Sequence, residues 1–295
     1  MSADQPDILK KAFSASSRIR FTYVDTSRAA ADLQERHLSG PCAALVLGQG
    51  LAASALLIAD RSHEDECVSI QLHADGPIGG MMVEAHANGA LRGYTNQKIL
   101  HDFDGEDHPD VEKALGEKGQ ARIIRSTSKS VLFTAAFPAE PPDVRTLLAR
   151  YFNYSMQTPS AVALQVDGNV DEITLAKGIV AERMPDGLSE HFITILEAFE
   201  RGDVAERLRT ASGPEDFADL FELPDIVTGE TQSLRFECRC SKEKVTRALN
   251  VLTEQDMKSI IAEGKGQDVY CHMCGKGYTI STDEIQGLLD DKQAG

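Results

Sequence analysis

The amino-acid sequence predicts an α+β protein built in three parts. An N-terminal domain, residues 1–184, carries a mostly antiparallel sheet with helices packed on it. An acidic amphipathic helical linker, 185–232, follows, and a small module, 233–295, closes the chain around four cysteines. Three observations lead to this division. Short alternating apolar runs recur up to residue 183, separated by turns and by apolar helical stretches. From Pro185 to Gln232 three basic residues face twelve acidic ones, so 3 − 12 = −9 of the chain's net −16 lies there. Four of the six cysteines fall in two close pairs after residue 237.

The N-terminal elements follow in order. Arg18 to Val24 alternates Ile19, Phe21 and Tyr23 with polar neighbours and reads as a strand. Thr26 or Ser27 is placed to cap a helix running to about His37. Ala43 to Asp60 reads as a second helix, apolar nearly all round and therefore buried on most sides. This apolar run is interrupted by Gly48, Gln49, Gly50 and Ser54 and is too short to span a bilayer comfortably. Cys67 to Ala74 is a strand with Val68, Ile70 and Leu72 on one face. The stretch from Ala74 to Gly80 is a glycine-rich turn and not a phosphate loop. Met81 to Ala85 and Ala90 to Tyr94 form a hairpin across Asn88-Gly89. His101 to Gly119 is polar, a loop with a short helix. Gln120 to Arg125 and Ser130 to Phe137 make a further hairpin. Pro141-Pro142-Asp143 opens a helix whose Val144, Leu147, Leu148, Tyr151 and Phe152 form one stripe, and Thr158-Pro159 stops it. Ala161 to Asp167 and Ile173 to Arg183 are closing strands.

In the linker, Leu188, Phe192, Ile195, Leu196 and Phe199 recur at helical spacing and define an apolar face that must lie on something. Val204 to Leu208 and Phe217 to Phe221 suggest two more short helices, broken at Gly213-Pro214. The dense negative charge makes the packed state marginal through self-repulsion. The linker is expected to fold against its neighbours with little stability of its own.

The last part is nearly neutral, with nine basic and ten acidic residues. Cys238-Arg239-Cys240 and Cys271-His272-Met273-Cys274 are separated by thirty residues. Two thiol pairs flanking a folded excursion can converge on one tetrahedral ion, and a structural Zn²⁺ site is built from such thiolates. Cys238, Cys240, Cys271 and Cys274 are the expected ligands. Permanent disulfides are the alternative. Gly275 lets the backbone wrap the site, and His272 reads as an exposed residue of the knuckle turn, not a fifth ligand. Val245, Leu249, Leu252, Met257, Ile260 and Ile261 suggest two short helices between the pairs. Val269-Tyr270 and Tyr278 to Ile280 suggest a small ribbon. So thin a core needs a metal or disulfides to fold.

Composition bounds the function. With 42% hydrophobic and 26% charged residues the chain is globular and soluble. A net charge of −16 repels phosphate backbones and anionic membrane surfaces, so neither nucleic acid nor membrane is an expected partner. The polar, acidic start from Met1 to Asp7 carries no signal-peptide pattern, so a reducing cytoplasm is the expected compartment. There a thiol cluster binds metal or senses redox state. Oxidation of thiolates removes the ligands, and Cys238 and Cys240 lie close enough in sequence to pair, as do Cys271 and Cys274. Zinc binding in such modules is itself folding free energy, about 10–16 kcal/mol apparent. Loss of the ion is therefore expected to unravel the tail, unseat the linker and expose apolar surface that binds unfolded chains. Cys42 reads as a helix-start or core thiol. Cys67 sits beside Glu64, Asp65 and Glu66, which are expected to raise its pKa and lower its reactivity.

Across essentially its whole length the sequence resembles the heat-shock protein 33 family of redox-regulated chaperones. The C-x-C and C-x-x-C pairs match that family's zinc switch. Arg36-His37, Pro41, Leu47-Gly48, Asp75-Gly76-Pro77 and Leu91-Arg92-Gly93-Tyr94 resemble its N-terminal domain. The resemblance implies an ATP-independent holdase, inactive when reduced and zinc-bound, activated by oxidative unfolding, commonly with homodimerisation, and not an enzyme. Three positions depart from the family pattern: Met156 where Glu is usual, Lys177 in place of one of a glycine pair, and Glu182 where Gln is expected. Two other classes compete. A constitutive zinc-ribbon adaptor would use the basic cluster Arg239, Lys242, Lys244 and Arg247 to bind nucleic acid, or would bind protein. A thiol-disulfide oxidoreductase would need one C-x-x-C at a helix start after a strand, which is not the pattern here.

Overall fold

A computed structural model describes residues 6–106 and 109–294, so residues 1–5 of the polar start lie outside it. The chain divides into two compact units, Met1–Glu237 and Cys238–Gly295. The first contains strands β1 (Ile8–Ser14) and β2 (Ile19–Asp25), helices α1 (Ser27–His37) and α2 (Pro41–Ile58), and strands β3 (Cys67–Ala74), β4 (Gly80–His86) and β5 (Ala90–Thr95). Helix α3 (Val111–Leu115), strands β6 (Gly119–Ser126) and β7 (Val131–Ala139), helix α4 (Val144–Arg150) and strands β8 (Ser160–Gly168) and β9 (Ile173–Arg183) follow. Helices α5 (Ser189–Glu200) and α6 (Asp203–Leu208) and strands β10 (Ile226–Ser233) and β11 (Arg235–Phe236) complete it. The second unit holds α7 (Lys242–Ala248), α8 (Glu254–Ala262), β12 (Gln267–Tyr270), β13 (Gly277–Ile280) and α9 (Thr282–Ala294).

The antiparallel sheet expected from the sequence resolves into two. One has the order β10-β1-β2-β9-β8 and the other β11-β5-β4-β3-β6-β7. All pairings are antiparallel except the two-residue β11, which runs parallel to β5. Helix α2 lies between the sheets, and this explains why it is apolar on every side. Its Val46, Leu47, Leu51 and Leu56 share one core with Val68, Ile70 and Val83 of one sheet and Val162, Ala176 and Val180 of the other. Two glycines let it approach both. A Cβ on Gly48 would sit 2.9 Å from Val166 Cγ1, and one on Gly50 would sit 2.6 Å from Met81 Sδ. By length and composition α2 could cross a membrane, but 89% of it is buried in this core.

The start of α1 differs from expectation. Thr26 occupies the cap position but makes no side-chain cap bond, because its Oγ1 donates to the Ala176 carbonyl instead. The orphan N–H groups of Arg28 and Ala29 donate to Asp7, which arrives from β1, at 2.9 and 2.7 Å. Burial pushes the Asp7 carboxyl up to about 7, against those two hydrogen bonds and with help from Asp25 and Asp32. The folded state thus holds a proton that the unfolded chain releases near 3.8. Between these values folding takes up a proton, so this contribution is full at low pH and is lost as pH rises toward 7. Asp7→Asn removes the titration. The stability of wild type relative to this variant is expected to fall by about 1.4 kcal/mol per pH unit at most between pH 4 and 7 and then level off, as read by urea denaturation. A difference independent of pH would remove Asp7 as the titrating group.

β1, β10 and β11 have no counterpart in the sequence reading. β10 is polar and lies at a sheet edge with most of its side chains exposed or half-exposed, so no apolar alternation marks it. In β1 the register against β10 shifts between Lys10 and Ala12.

Candidate functional site

The linker residues after Gly187 fold back on the outer face of the five-stranded sheet. There Ala12, Ile19, Phe21, Tyr23, Ala163, Ile179 and Ala181 form a second core with the linker. Of the five residues read as the linker's apolar face, Phe192 and Ile195 are buried in this core, and Leu196 and Phe199 pack against it half-buried. Leu188 does not join them. It caps α5 from an extended backbone conformation and is 41% exposed. Ala198 takes its share of the face. Phe221 is the hub of the seam, with its ring stacked 5.4 Å from Phe21, 5.9 Å from Phe199 and 5.6 Å from Phe217. The expected third helix is a short 3₁₀ turn, Pro214–Phe217, followed by irregular turns.

The linker's acidic groups are partly balanced by cations of the sheet and of the linker itself. Lys10 reaches Glu215 at 3.6 Å, Lys11 and Arg61 reach Glu230 at 3.1 and 2.9 Å, and Arg207 reaches Asp219 at 2.7 Å. The carboxylates are exposed and the cations only half-buried, so each pair is worth little, and self-repulsion is reduced more than removed.

Inside the seam sits a lysine that the family pattern does not predict. Lys177 of β9 is 8% exposed, and its Nζ donates to the Ala211 carbonyl at 2.7 Å and lies 3.5 Å from Asp25 Oδ2. The Tyr23 hydroxyl donates to the same carbonyl at 2.8 Å. Ala211 is the point where the linker backbone turns after α6, so two side chains of the sheet clasp it there. Charged hydrogen bonds of this kind are worth about 1.5–3 kcal/mol. Lys177→Met keeps the stem and deletes the donor. It is expected to speed hydrogen exchange of the amides of residues 203–223 by roughly tenfold or more. Unchanged exchange there would remove Lys177 as a clasp. Of the other two departures, Glu182 is buried and forms a two-pronged pair with Arg20 at 3.0 Å on each prong, while Met156 is 41% exposed.

The second unit brings the four cysteines together. Cys238 Sγ lies 3.8 Å from Cys271 Sγ, Cys240 Sγ lies 3.5 Å from Cys274 Sγ, and all four sulfurs are within 4.8 Å of one another. A tetrahedron with zinc–sulfur bonds of about 2.3 Å has edges of about 3.8 Å, so the four sulfurs fit a tetrathiolate ion. The second cysteine pair sits on a tight turn. Gly275 has φ +70 and donates its N–H to the Cys271 carbonyl at 2.8 Å, while Cys271 N–H donates to the Lys276 carbonyl at 2.9 Å. All six cysteines are free thiols. His272 is exposed in the turn.

The electrostatics of the four thiols are uneven. Burial raises the Cys271 and Cys274 thiols. Burial also opposes ionisation of Cys240, but hydrogen bonds from Tyr278 and the neighbouring thiols outweigh it and hold Cys240 below its ordinary value. The Tyr278 hydroxyl donates to Cys240 Sγ at 3.1 Å. No spacing in the sequence marks this bond. It follows from β13 pairing with β12 directly after the knuckle, with Tyr278 opposite Val269. The core beneath is small: among the described residues of this unit Met257, Ile280, Ile285 and Leu289 form the buried cluster, with α9 contributing two of the four.

Outside the cluster, Cys42 is fully buried at the start of α2, and burial with the nearby Asp104 pushes its thiol up to about 12. Glu66 turns to Arg125 at 2.7 Å and Asp65 to Ser128 at 2.6 Å, while Cys67 faces His86.

Comparison with known proteins agrees with this architecture. Residues 7–281 match the family model described as Hsp33 protein. The chain is 29% identical over 301 residues to a 33 kDa chaperonin of Trichodesmium erythraeum, covering 97% of this chain and 94% of that one. It is 30% identical over 289 residues to a 33 kDa chaperonin of Clostridium botulinum, covering 96% and 97%. Among solved structures, the 33 kDa chaperonin (heat shock protein 33 homolog) of Thermotoga maritima shares the fold with a TM-score of 0.86 at 23% identity, over 99% of this chain and 100% of that one.

Proposed function

Because this chain belongs to the Hsp33 family of chaperones, we propose that it is an ATP-independent holdase, closed by its linker while reduced and opened by oxidation of its four switch thiols. The observation that carries the reading is the buried aromatic seam between linker and sheet, an apolar surface held shut by a segment rich in like charge.

In the reduced state Cys238, Cys240, Cys271 and Cys274 would hold one Zn²⁺, which supplies the cross-link that the four-residue core of the second unit lacks. The rest is done by the chain. Two thiols and one hydrogen peroxide give a disulfide and two waters, with two electrons passing from sulfur to oxygen. The expected pairs are Cys238–Cys240 and Cys271–Cys274. A disulfide sulfur carries no charge for a dication, so ligation ends when the bonds form.

The covalent chain then transmits the change. One residue, Glu237, separates Cys238 from β11, which is held by a two-residue pairing to β5. Upstream, β10 is an edge strand and the linker helices precede it. Unfolding that starts at the cysteines therefore runs first into the least anchored elements of the larger unit. Once the linker leaves, Phe21, Tyr23, Ile19 and Ile179 on the sheet and Phe192, Phe217 and Phe221 on the linker are uncovered. Such surface binds unfolded client proteins, and the oxidised form is expected to pair as a homodimer. The cytoplasm fits this cycle, since thiols must be kept reduced between episodes.

The test is light scattering of a thermally unfolding client enzyme, with the protein first reduced and then treated with peroxide under mild heat. Oxidation is expected to convert little or no protection into near-complete protection at stoichiometric amounts, without ATP. Equal protection in both states would leave a constitutive zinc-ribbon binder, and no protection in either would end the chaperone reading.

A further inference from the structure

The six-stranded sheet carries a second convergent set of donors, on the face opposite α2. Cys67 on β3 and His86 on β4 are directly paired across the two strands, and Glu84 lies two residues before His86 on the same face. Cys67 Sγ is 3.8 Å from His86 Nε2, and His86 Nε2 is 3.6 Å from Glu84 Oε2. The three donor atoms lie within 4.8 Å of one another, as in the four-thiol cluster.

We propose that Cys67, Glu84 and His86 form a second metal site, separate from the four-cysteine cluster, for a borderline-soft divalent cation of the zinc type.

Three features carry it. The first is which ring nitrogen is used. A thiol–imidazole–carboxylate relay needs sulfur and carboxylate on opposite nitrogens of the ring. Here both approach Nε2, and a shared nitrogen between two anionic donors is the arrangement in which all three point at one ion. The second is spacing. Donors bonded to zinc at about 2.0–2.3 Å stand roughly 3.4–3.8 Å apart in a tetrahedron, which matches the two separations from His86, while Cys67 and Glu84 lie within 4.8 Å of each other. The third is support. β3 and β4 are interior strands of the sheet, so the backbone under both ligands is fixed by neighbours on each side. Arg92 on β5, paired with Glu84 across the strands, places both Nε and Nη2 on Glu84 Oε2, at 2.7 and 2.5 Å, so the oxygen that faces His86 is held in place and an ion there would share it with the guanidinium.

The donor set also sets the ion and the rank of the site. Thiolate, imidazole and carboxylate together select zinc-like ions over magnesium or calcium. Three ligands leave the fourth position to water or another small donor. Two anionic ligands offset by the Arg92 charge give a weaker site than four thiolates, so this site fills second.

The test counts Zn²⁺ on the full-length chain, reduced with a non-chelating phosphine, by competition with a chromophoric chelator. The unaltered chain is expected to hold one Zn²⁺ more than Cys67→Ser and one more than His86→Gln, with the four switch cysteines intact in all three. Equal counts would overturn the proposal. A measurement without variants guards against misfolding. Co²⁺ added to the unaltered chain beyond the equivalent taken by the four-cysteine cluster should raise a new sulfur-to-cobalt charge-transfer band. No band, or binding without sulfur character, reduces the second equivalent to surface carboxylates and overturns the site.

Discussion

Replacing Cys238 and Cys240 together with serine is expected to unfold residues 238–295 in the reduced protein while the sheets of the first unit stay folded. The reason is the balance inside the small unit. Its buried cluster is Met257, Ile280, Ile285 and Leu289, and full burial of such side chains contributes about 1.5–3 kcal/mol each. Ordering nearly sixty residues opposes this by far more. An ion bound only in the folded state adds about 10–16 kcal/mol in comparable small modules, and without it no other cross-link is at hand because all the cysteines are free. The Tyr278–Cys240 bond would be lost as well. Hydrogen exchange resolved by segment reads the result. Amides of α7, α8 and α9 should exchange at the rate of an open chain, while those of β2, β9 and α2 remain protected. Chelation of the ion from the unaltered protein should give the same pattern, and restoring Zn²⁺ should reverse it. Persistent protection in α8 and α9 after both treatments would mean that the unit folds without metal and that its four thiols are no clasp.

The two ends of the chain differ in how much of this was written in the sequence. The cysteine pairs announced their own site, because ligand geometry depends on local spacing and the knuckle glycine. Gly275, read as letting the backbone wrap the site, has φ +70, a conformation its missing Cβ permits. Helix α2 was legible as buried on all sides, but not what buries it. Two sheets enclosing one helix is a long-range property, and an apolar surface reads the same whichever sheet covers it. The first two linker helices were legible from their apolar spacing, whereas the third, read over Phe217 to Phe221, is only a 3₁₀ turn at Pro214–Phe217. The linker's last stretch was not legible, since Ile226–Ser233 is an edge strand whose polar side chains follow solvent exposure and not strand pairing. Asp7 as the anchor of α1 and Lys177 as a clasp were invisible for the same reason. Each acts on backbone groups far away in sequence, at positions 28–29 and 211. The approach of Cys67 to His86 was equally out of reach, because it depends on the register of β3 against β4 and not on sequence neighbours.

Phe221→Ala is expected to make the reduced protein a partly active chaperone. Phe221 is 1% exposed and stacks on Phe21 from the sheet and on Phe199 and Phe217 from the linker, so its removal opens a cavity at the centre of the seam. Phe→Ala changes in cores cost about 3–5 kcal/mol. Part of this falls on the linker's internal packing and part on its docking. A shift of about 3 kcal/mol in docking changes the docked-to-undocked ratio by about a hundredfold. The linker's net charge of −9 gives it little reserve against such a loss. Reduced Phe221→Ala should therefore slow client aggregation where the reduced wild type does not, while its four thiols still hold metal. Ile193→Ala is the control. Ile193 lies on the same linker, on α5, but is 54% exposed, so its loss should leave the reduced protein closed. Activity in the first variant with metal retained would separate the two halves of the device: the thiols as trigger and the aromatic seam as the surface they guard. If reduced Phe221→Ala loses linker protection in hydrogen exchange yet remains inert toward clients, the seam is only structural and the client surface lies elsewhere.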